Sequence, residues 1–386
     1  MKSIKVQVLS SFILLLTYSC VDYNIPTITI KKEGKIGWNE KVPCTIIYSN
    51  NYEIAVLPAS IKNRGGFSSK FYKNSFSIEL ENKFALAELP SDDDWIINAN
   101  YIDKTFMRHK INYDLFRQMR LKNIASECAY ITVSIDDKDR GLYVLMEEIN
   151  AVMIGLDKLD SLAMLFKDPP IFYEHKLGYV KDTNNYFQQK FPKIYIADKT
   201  NYLMQFKNFL FDSTDEVFYK GIDQWVDIDN VIDWHIILLF SNNSDGIMKN
   251  FYLYKLNSDT PFRFAIWDYD HSFGRDGDNE MNMMERELNC NRSILLKRLM
   301  QTDYSQKLKK RWFELRRFNI ISYQNLRNLI TENDKYINQV IDKNFEIWPV
   351  DGKWYFDNHT YEQEINLILE FVPLRISQLD AFFKAL

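Results

Sequence analysis

Four side chains with oxygen ligands fall close together in this sequence. Asp245 and Asn250 stand in "SNNSDGIMKNFYLYK", and Asp268 and Asp270 in "FRFAIWDYDHSFG". Carboxylate and amide oxygens are what a hard cation such as Mg2+ takes, with phosphate oxygens completing its shell. A carboxylate left outside that shell can position a hydroxyl and accept its proton. Each acid also has an ordinary use, because Asp-Gly is a turn dipeptide and Asp268 can cap a strand. Chemistry follows only if the two segments fold onto one another.

The elements around them make that fold plausible. "VIDWHIILLF" reads as a buried helix, and "NFYLYK" and "FRFAIWDYD" read as strands. An antiparallel hairpin from Asn250 to Asp268 brings both strand ends to one edge, where Asp245, Asn250, Asp268 and Asp270 converge. The spacing D-x-x-x-x-N followed by an acid on the next strand is the one protein kinases use to place a hydroxyl and hold a metal. Alone, that spacing is common by chance.

Upstream, "TITIKK", "CTIIYS", "IAVLPASIK" and "FSIEL" read as strands separated by turn residues. "KTFMRHKINYDLFRQMR" has helical spacing, with Phe106, Ile111, Leu115 and Met119 near one face and charges opposite. "AYITVSID" and "GLYVLMEEI" form a hairpin around "DDKDRG". "KDPPIFYEHKLGYVKDTNN" reads as a loop or insertion. "NYLMQFKNFLF" and the last hundred residues read as helices. The fold class is therefore α+β, with a β-rich lobe over about residues 25–150 and a mainly helical lobe carrying the hairpin over 151–386.

Composition bounds the function. With 386 residues and 46% hydrophobic content the chain can bury a large core. The 48 basic and 52 acidic residues nearly cancel, and no basic stripe with interleaved aromatics points to nucleic acid. Cys44, Cys128 and Cys290 are widely spaced and read as small buried hydrophobes, allowing one disulfide at most. The 5 scattered His and the lack of a C-x-x-C pair argue against zinc. "MKSIKVQVLSSFILLLTYSC" has the charged start, apolar core and small-residue end of a secretory signal. Its final Cys20 resembles a lipobox cysteine, although Thr17 stands where a Leu is usual. Residues 1–20 are expected to be a signal peptide with a lipobox-like end, cut so that Cys20 becomes the new N-terminus, and the protein exported and lipid-anchored through Cys20 to a bacterial membrane, with ordinary secretion or a retained anchor as the alternatives.

Several ordered segments resemble the spore-coat protein H (CotH) kinase family. "NRGGFSSKFYKNSF" is similar to its R-G-N-S-S-x-x-F-P-K-K-S-Y motif through Arg64, Gly65, Ser68, Phe71, Lys73 and Ser75. "DWIINANYIDKTFMRHK" resembles its W-x-L-x-A-N-Y-x-D-K-T-x-x-R-N block through Trp95, Ala99, Asn100, Tyr101, Asp103, Lys104, Thr105 and Arg108. "GLYVLMEEI", the helix-to-turn run ending at "KNFYLYK", "WDYDHSFG" and the helical tail follow in order, so the resemblance covers about residues 25–386.

The resemblance implies an atypical protein-kinase-like bilobal fold and magnesium-dependent transfer of phosphoryl from ATP to protein serine. It implies Asp245 as the catalytic acid, Asp268 as metal ligand, Asn250 as its assistant and Asp270 as a further metal candidate. Arg64 and Lys73 become phosphate candidates, with a solvated strand-edge lysine as the alternative for Lys73 and Lys167 as a lower-ranked competitor. Glu147 either lines the nucleotide pocket, partners a lysine or is an ordinary strand-end glutamate. Lys249 either neutralises phosphate or is an exposed turn lysine. Asp103 and Arg108 are expected to brace the helix rather than perform chemistry. Gly66 and Phe67 replace the motif's Asn-Ser, which either weakens nucleotide binding or lets backbone N–H groups approach phosphate. Two other functions stay open: a non-catalytic surface module acting as an adhesin, and a phosphotransferase or hydrolase acting on a sugar or lipid headgroup.

Overall fold

The computed structural model describes residues 25–173, 185–275, 283–284, 286–350 and 358–386. The leader with Cys20, and most of the "YEHKLGYVKDTN" insertion, lie outside them. Among the described residues the fold is mixed α+β.

Seven strands close a barrel: β1 (Thr27–Lys32), β2 (Val42–Ser49), β3 (Ile54–Arg64), β4 (Ser75–Phe84), β5 (Asp92–Asn98), β6 (Cys128–Ile135) and β7 (Lys138–Glu147). Their order is β1-β2-β3-β4-β5-β7-β6, and a parallel pairing of β1 with β6 from Thr27↔Thr132 to Ile30↔Ile135 closes it. Closure leaves no unpaired edge, which an open sheet of this size would have to protect. Alternate residues such as Ile28, Ile30, Ile46, Ile61, Ile78 and Val133 fill the interior.

The unbroken apolar run "GLYVLM" has a physical cause. On β5 and β7, Ile97, Tyr143 and Leu145 face the barrel interior, whereas Ile96, Val144 and Met146 face a second core built with the helices. Both faces of these strands are buried, so period-two alternation vanishes from the sequence. The β6–β7 turn forms as expected at Asp136 and Asp137, both left-handed (φ 47° and 63°).

A second sheet has the order β11-β10-β8-β9, from β8 (Met164–Lys167), β9 (Gln189–Phe191), β10 (Phe251–Lys255) and β11 (Arg263–Ile266). The expected hairpin is β10–β11, antiparallel with Phe251↔Ile266. Lys167, the first residue of the expected loop, is instead the last of β8, which pairs with β10, Tyr252↔Lys167. Four residues are too few to show a period, which is why a strand was not legible there.

Two helices hold this sheet in place. The 14 residues of α5 (Ile228–Ser241) are nearly all buried, which explains why the helix is apolar all round. Asp227 caps it by accepting from Asn230 N at 3.0 Å. Asn230 also completes the open edge of the sheet: its Oδ1 accepts from Phe264 N (2.6 Å) and its Nδ2 donates to Phe264 O (3.1 Å). Trp234 stacks on Phe264 at 4.1 Å between ring centroids. Helix α1 (Arg108–Met119) buries Ile111, Leu115, Phe116 and Met119 as expected. It also buries Arg108, His109, Asn112 and Tyr113, so part of its polar side is spent inside the protein.

The remaining helices are α2 (Ala151–Ile154), α3 (Thr200–Asp212), α4 (Asp215–Trp225), α6 (Ile294–Leu299), α7 (Tyr304–Arg317), α8 (Tyr323–Ile337), α9 (Ile341–Ile347) and α10 (Tyr361–Ala385). Cys44, Cys128 and Cys290 are free thiols.

Candidate functional site

The polar turn after α5 is built to stop a helix and present an acid. Asn242 takes a left-handed conformation (φ 58°) that ends α5. Asn243 Oδ1 accepts from Gly246 N at 2.9 Å. A Cβ on Gly246 would lie 2.5 Å from Leu238 Cδ2, so a larger residue fits there only if the Leu238 side chain shifts. Arg375 Nε donates to Leu239 O (2.7 Å) and Phe273 N to Ser241 O (2.8 Å), satisfying carbonyls that α5 leaves open. Asp245 therefore sits on a turn anchored from three sides.

The hairpin brings Asn250 and Asp268 together as expected. Asn250 is left-handed (φ 64°) and donates from Nδ2 to Asp268 O at 2.9 Å, while its own carbonyl accepts from Trp267 N at 3.0 Å. With its amide nitrogen so used, the Oδ1 of Asn250 is the atom left to face a cation. Asp268 is also left-handed (φ 58°), with its side chain about half exposed.

Helix α1 grips the loop that carries the acids. Tyr113 Oη accepts from Asp268 N (2.9 Å), and His109 Nδ1 accepts from Tyr269 N (2.9 Å). Arg108 Nε donates to Ser272 O (2.9 Å), and Asn112 Nδ2 to Ser272 Oγ (3.0 Å). Arg108 is itself held by Asp103 (2.7 Å) and Glu364 (3.1 Å), both fully buried. Asp103 and Arg108 thus occupy the bracing position expected of them.

Asp245, Lys249, Asn250, Asp268, Asp270, Lys167 and Lys73 all line one cleft of about 460 Å³, whose opposite wall is formed by Gly66–Ser68 and Asn98–Ile102. Asp270 is pushed upward by burial and by the charge of Asp268 beside it. Lys249 pairs with Asp245 at 2.9 Å. Burial lowers the Lys249 ammonium, but its bond to Asp245 and the fields of Asp245, Asp268 and Asp168 outweigh this and leave its pKa raised. It is neither a bare turn lysine nor free of the acid.

Lys73 is placed differently from a lysine on a solvated strand edge. It lies in the bend before β4, 2% exposed, and its Nζ donates to Leu142 O and to Asn344 Oδ1 (3.0 Å). The rings of Phe106 (4.8 Å) and Tyr143 (4.3 Å) flank it. Burial, helped by nearby Arg140, holds its pKa well below the ordinary lysine value. Its stem lines the cleft while its ammonium ties the barrel to α9. Glu147 is likewise turned elsewhere: its Oε2 accepts from Glu127 N (2.9 Å), and burial raises its pKa. It does not line the cleft of the acids.

Lys167 lines the cleft, and Arg64 is not among the residues that line it. Both sit over the indole of Trp267, with Arg64 Cζ at 5.7 Å and Lys167 Nζ at 5.5 Å from the ring centroid. Neither makes an ion pair among the described residues, and Trp267 immediately precedes Asp268. Two side chains escaped the sequence reading. Asp168, whose Oδ1 accepts from Phe251 N (3.1 Å), is raised by burial and adds charge near Lys249. His109 comes within 4.8 Å of both Asp268 and Asp270 by its ligand atom. The position of Asp168 after a lysine at a strand end was a faint signal, and a histidine inside an amphipathic helix was none.

The donor set fits a hard divalent cation: two carboxylates and an amide oxygen converge, and one of the acids is raised by burial and then by the charge of the other. Fold and site together define an α+β protein with an acid-and-amide cleft between a barrel and a helix-backed sheet. The family described as CotH kinase protein matches residues 61–379, and the chain belongs to that family. It is 23% identical over 222 residues, 57% of this chain, to the inner spore coat protein H of Bacillus subtilis (strain 168). That match spans 60% of the relative's length.

Proposed function

We propose that this protein is a kinase-like phosphotransferase of bilobal design that moves the terminal phosphoryl group of ATP to a serine hydroxyl on a protein. The observation that carries this reading is the convergence of Asp245, Asn250, Asp268 and Asp270 on one cleft that also holds Lys167 and Lys249. The family supports a kinase-type fold, and the cleft supplies the chemistry.

Asp268, Asp270 and Asn250 would hold a magnesium ion, which would supply charge neutralisation for the phosphate oxygens. Arg64 and Lys167, flanking Trp267, are the cations available to the phosphate chain. Asp245 orients the serine hydroxyl; as the new oxygen–phosphorus bond forms and the bond to the ADP oxygen breaks, its carboxylate takes the hydroxyl proton. Lys249 steadies Asp245 before transfer. The apolar leader and Cys20 support placement at the cell envelope by a lipid anchor.

Thermal shift with ATP, with and without Mg2+, tests this against Asp268→Asn, alongside radiolabel transfer to serine-containing proteins by wild type and Asp245→Asn. We expect a magnesium-dependent rise that Asp268→Asn lacks. Asp245→Asn is expected to keep the rise and lose transfer. No shift at millimolar ATP would overturn the reading and leave a fold retained for surface binding, and label appearing only on sugars or lipids would move the acceptor class.

A further inference from the structure

His109, the second residue of α1, is 1% exposed, and its ring is held in a defined state. Its Nδ1 accepts from the backbone N–H of Tyr269 at 2.9 Å, so that nitrogen offers a lone pair and the neutral ring carries its proton on Nε2. Nε2 lies 3.8 Å from Asp268 Oδ1 and has no hydrogen-bond partner among the described residues. Buried polar groups are rarely left without one, so an acceptor is expected in the working state.

By spacing alone, His109, Asp268 and Asp270 resemble a three-ligand metal cluster, a mixed nitrogen and oxygen set suited to zinc or manganese. The tautomer opposes that. A nitrogen bearing a proton has no lone pair for a cation, and moving the proton to Nδ1 would set it against the Tyr269 N–H. The ring packs 5.9 Å from the Tyr113 ring, whose Oη also holds the loop.

We propose that His109 is a positioning residue whose Nε2–H donates to the Asp268 and Asp270 carboxylates, leaving an all-oxygen ligand set for the cation. This rests on the reading that those two acids hold a divalent cation. The donor relieves the repulsion between two carboxylates whose ligand atoms lie within 4.8 Å of each other. It also turns their free oxygens toward the cleft. The site thereby favours magnesium and manganese and gives zinc no nitrogen.

The test is calorimetric binding of Mg2+, Mn2+ and Zn2+ to the whole protein, comparing wild type with His109→Ala and His109→Gln. Loss of an outer donor typically weakens metal binding about 10- to 100-fold. His109→Ala should weaken Mg2+ and Mn2+ by the same factor, and His109→Gln, which keeps an N–H donor, should recover most of it. Zn2+ and Mn2+ falling far more than Mg2+, without recovery in His109→Gln, would make His109 a ligand and overturn the proposal. Unchanged affinities would overturn it too. Histidine 1H–15N spectra of the metal-free protein read the tautomer directly; a proton on Nδ1 would overturn the assignment whatever binds. A wild type that binds no Mg2+ or Mn2+ while its spectra show Nε2–H would instead overturn the cation reading, and this role with it.

Discussion

The guanidinium of Arg108, at the first position of α1, donates from Nε to the carbonyl oxygen of Ser272 at 2.9 Å, and so fastens the helix to the loop that carries Asp268 and Asp270. The same side chain pairs with buried Asp103 and Glu364. Burial raises Glu364, but Arg108, Arg275 and Lys104 outweigh it and bring its pKa down to about 2. Removing Arg108 leaves two carboxylates in the interior with part of their compensation gone. Arg108→Met is expected to cost about 3–5 kcal/mol in urea unfolding. A loss below about 1 kcal/mol would show that the pairs are not the brace inferred here.

Stability should fall with acid in two stages. His235 is buried and brought down from 6.5 to about 3 by desolvation. Its unfolded form takes up a proton that the folded form refuses, so stability is full above pH 6.5 and declines between 6.5 and 3. The slope is about 1.4 kcal/mol per pH unit. Glu364, depressed from 4.5 to about 2, adds its own loss only below pH 4.5. Unfolding free energies from denaturant titrations between pH 7 and 5 should therefore lose about 2 kcal/mol of their pH dependence in His235→Phe and keep it in Glu364→Gln.

Lys73 and Lys167 should separate cleanly in nucleotide titrations. Lys167 is free of ion pairs among the described residues, whereas Lys73 already spends its ammonium on Leu142 O and Asn344. Lys167→Met is expected to weaken ATP binding about tenfold or more, the worth of a charged contact, and Lys73→Met by less than about threefold. The reverse order would return Lys73 to the phosphates.

Lys73 makes a second prediction, through pH. Its pKa is lowered well below 10.5 in the folded protein. The unfolded chain therefore binds the extra proton between the folded value and 10.5, and stability rises with pH across that window. Lys73→Met should gain on wild type near neutrality and lose that lead as pH rises toward 10.5. A constant difference would mean that the buried ammonium is not destabilised.

The left-handed backbone at Asp268 decides which substitution tests it. Asparagine tolerates φ 58°, but alanine pays about 1–2 kcal/mol there. Asp268→Asn should unfold at nearly the wild-type temperature and Asp268→Ala about 1–3 °C lower, while both lose magnesium-dependent stabilisation. Equal melting of the two variants would show that the backbone relaxes.

Much of this site was legible because its signals are local. The Asp-Gly turn, the β10–β11 hairpin and the apolar α5 depend on turn chemistry and on the periods of strand and helix. Those features read correctly from "SNNSDG" to "WDYD". Strand β5 begins with three acids and β8 has four residues, so neither shows a period. Helix α4 carries Gly221 in its middle and escaped for the same kind of reason, since a glycine lowers helix propensity locally although the Thr214 cap restores a start.

The sequence by itself determined the family, the α+β class and the four oxygen-bearing side chains that meet in one cleft, because ordered motifs and periodic burial survive in one dimension. Only the tertiary structure decided where the candidate cations lie. Lys73, the motif lysine, is drawn inward to Asn344 on a helix far along the chain, while Arg64 and Lys167 meet over Trp267. It alone closed the barrel and brought His109 to the acids with its proton outward. Each of these depends on contacts between residues distant in sequence, where solvent exclusion and backbone donors set a side chain's direction and charge.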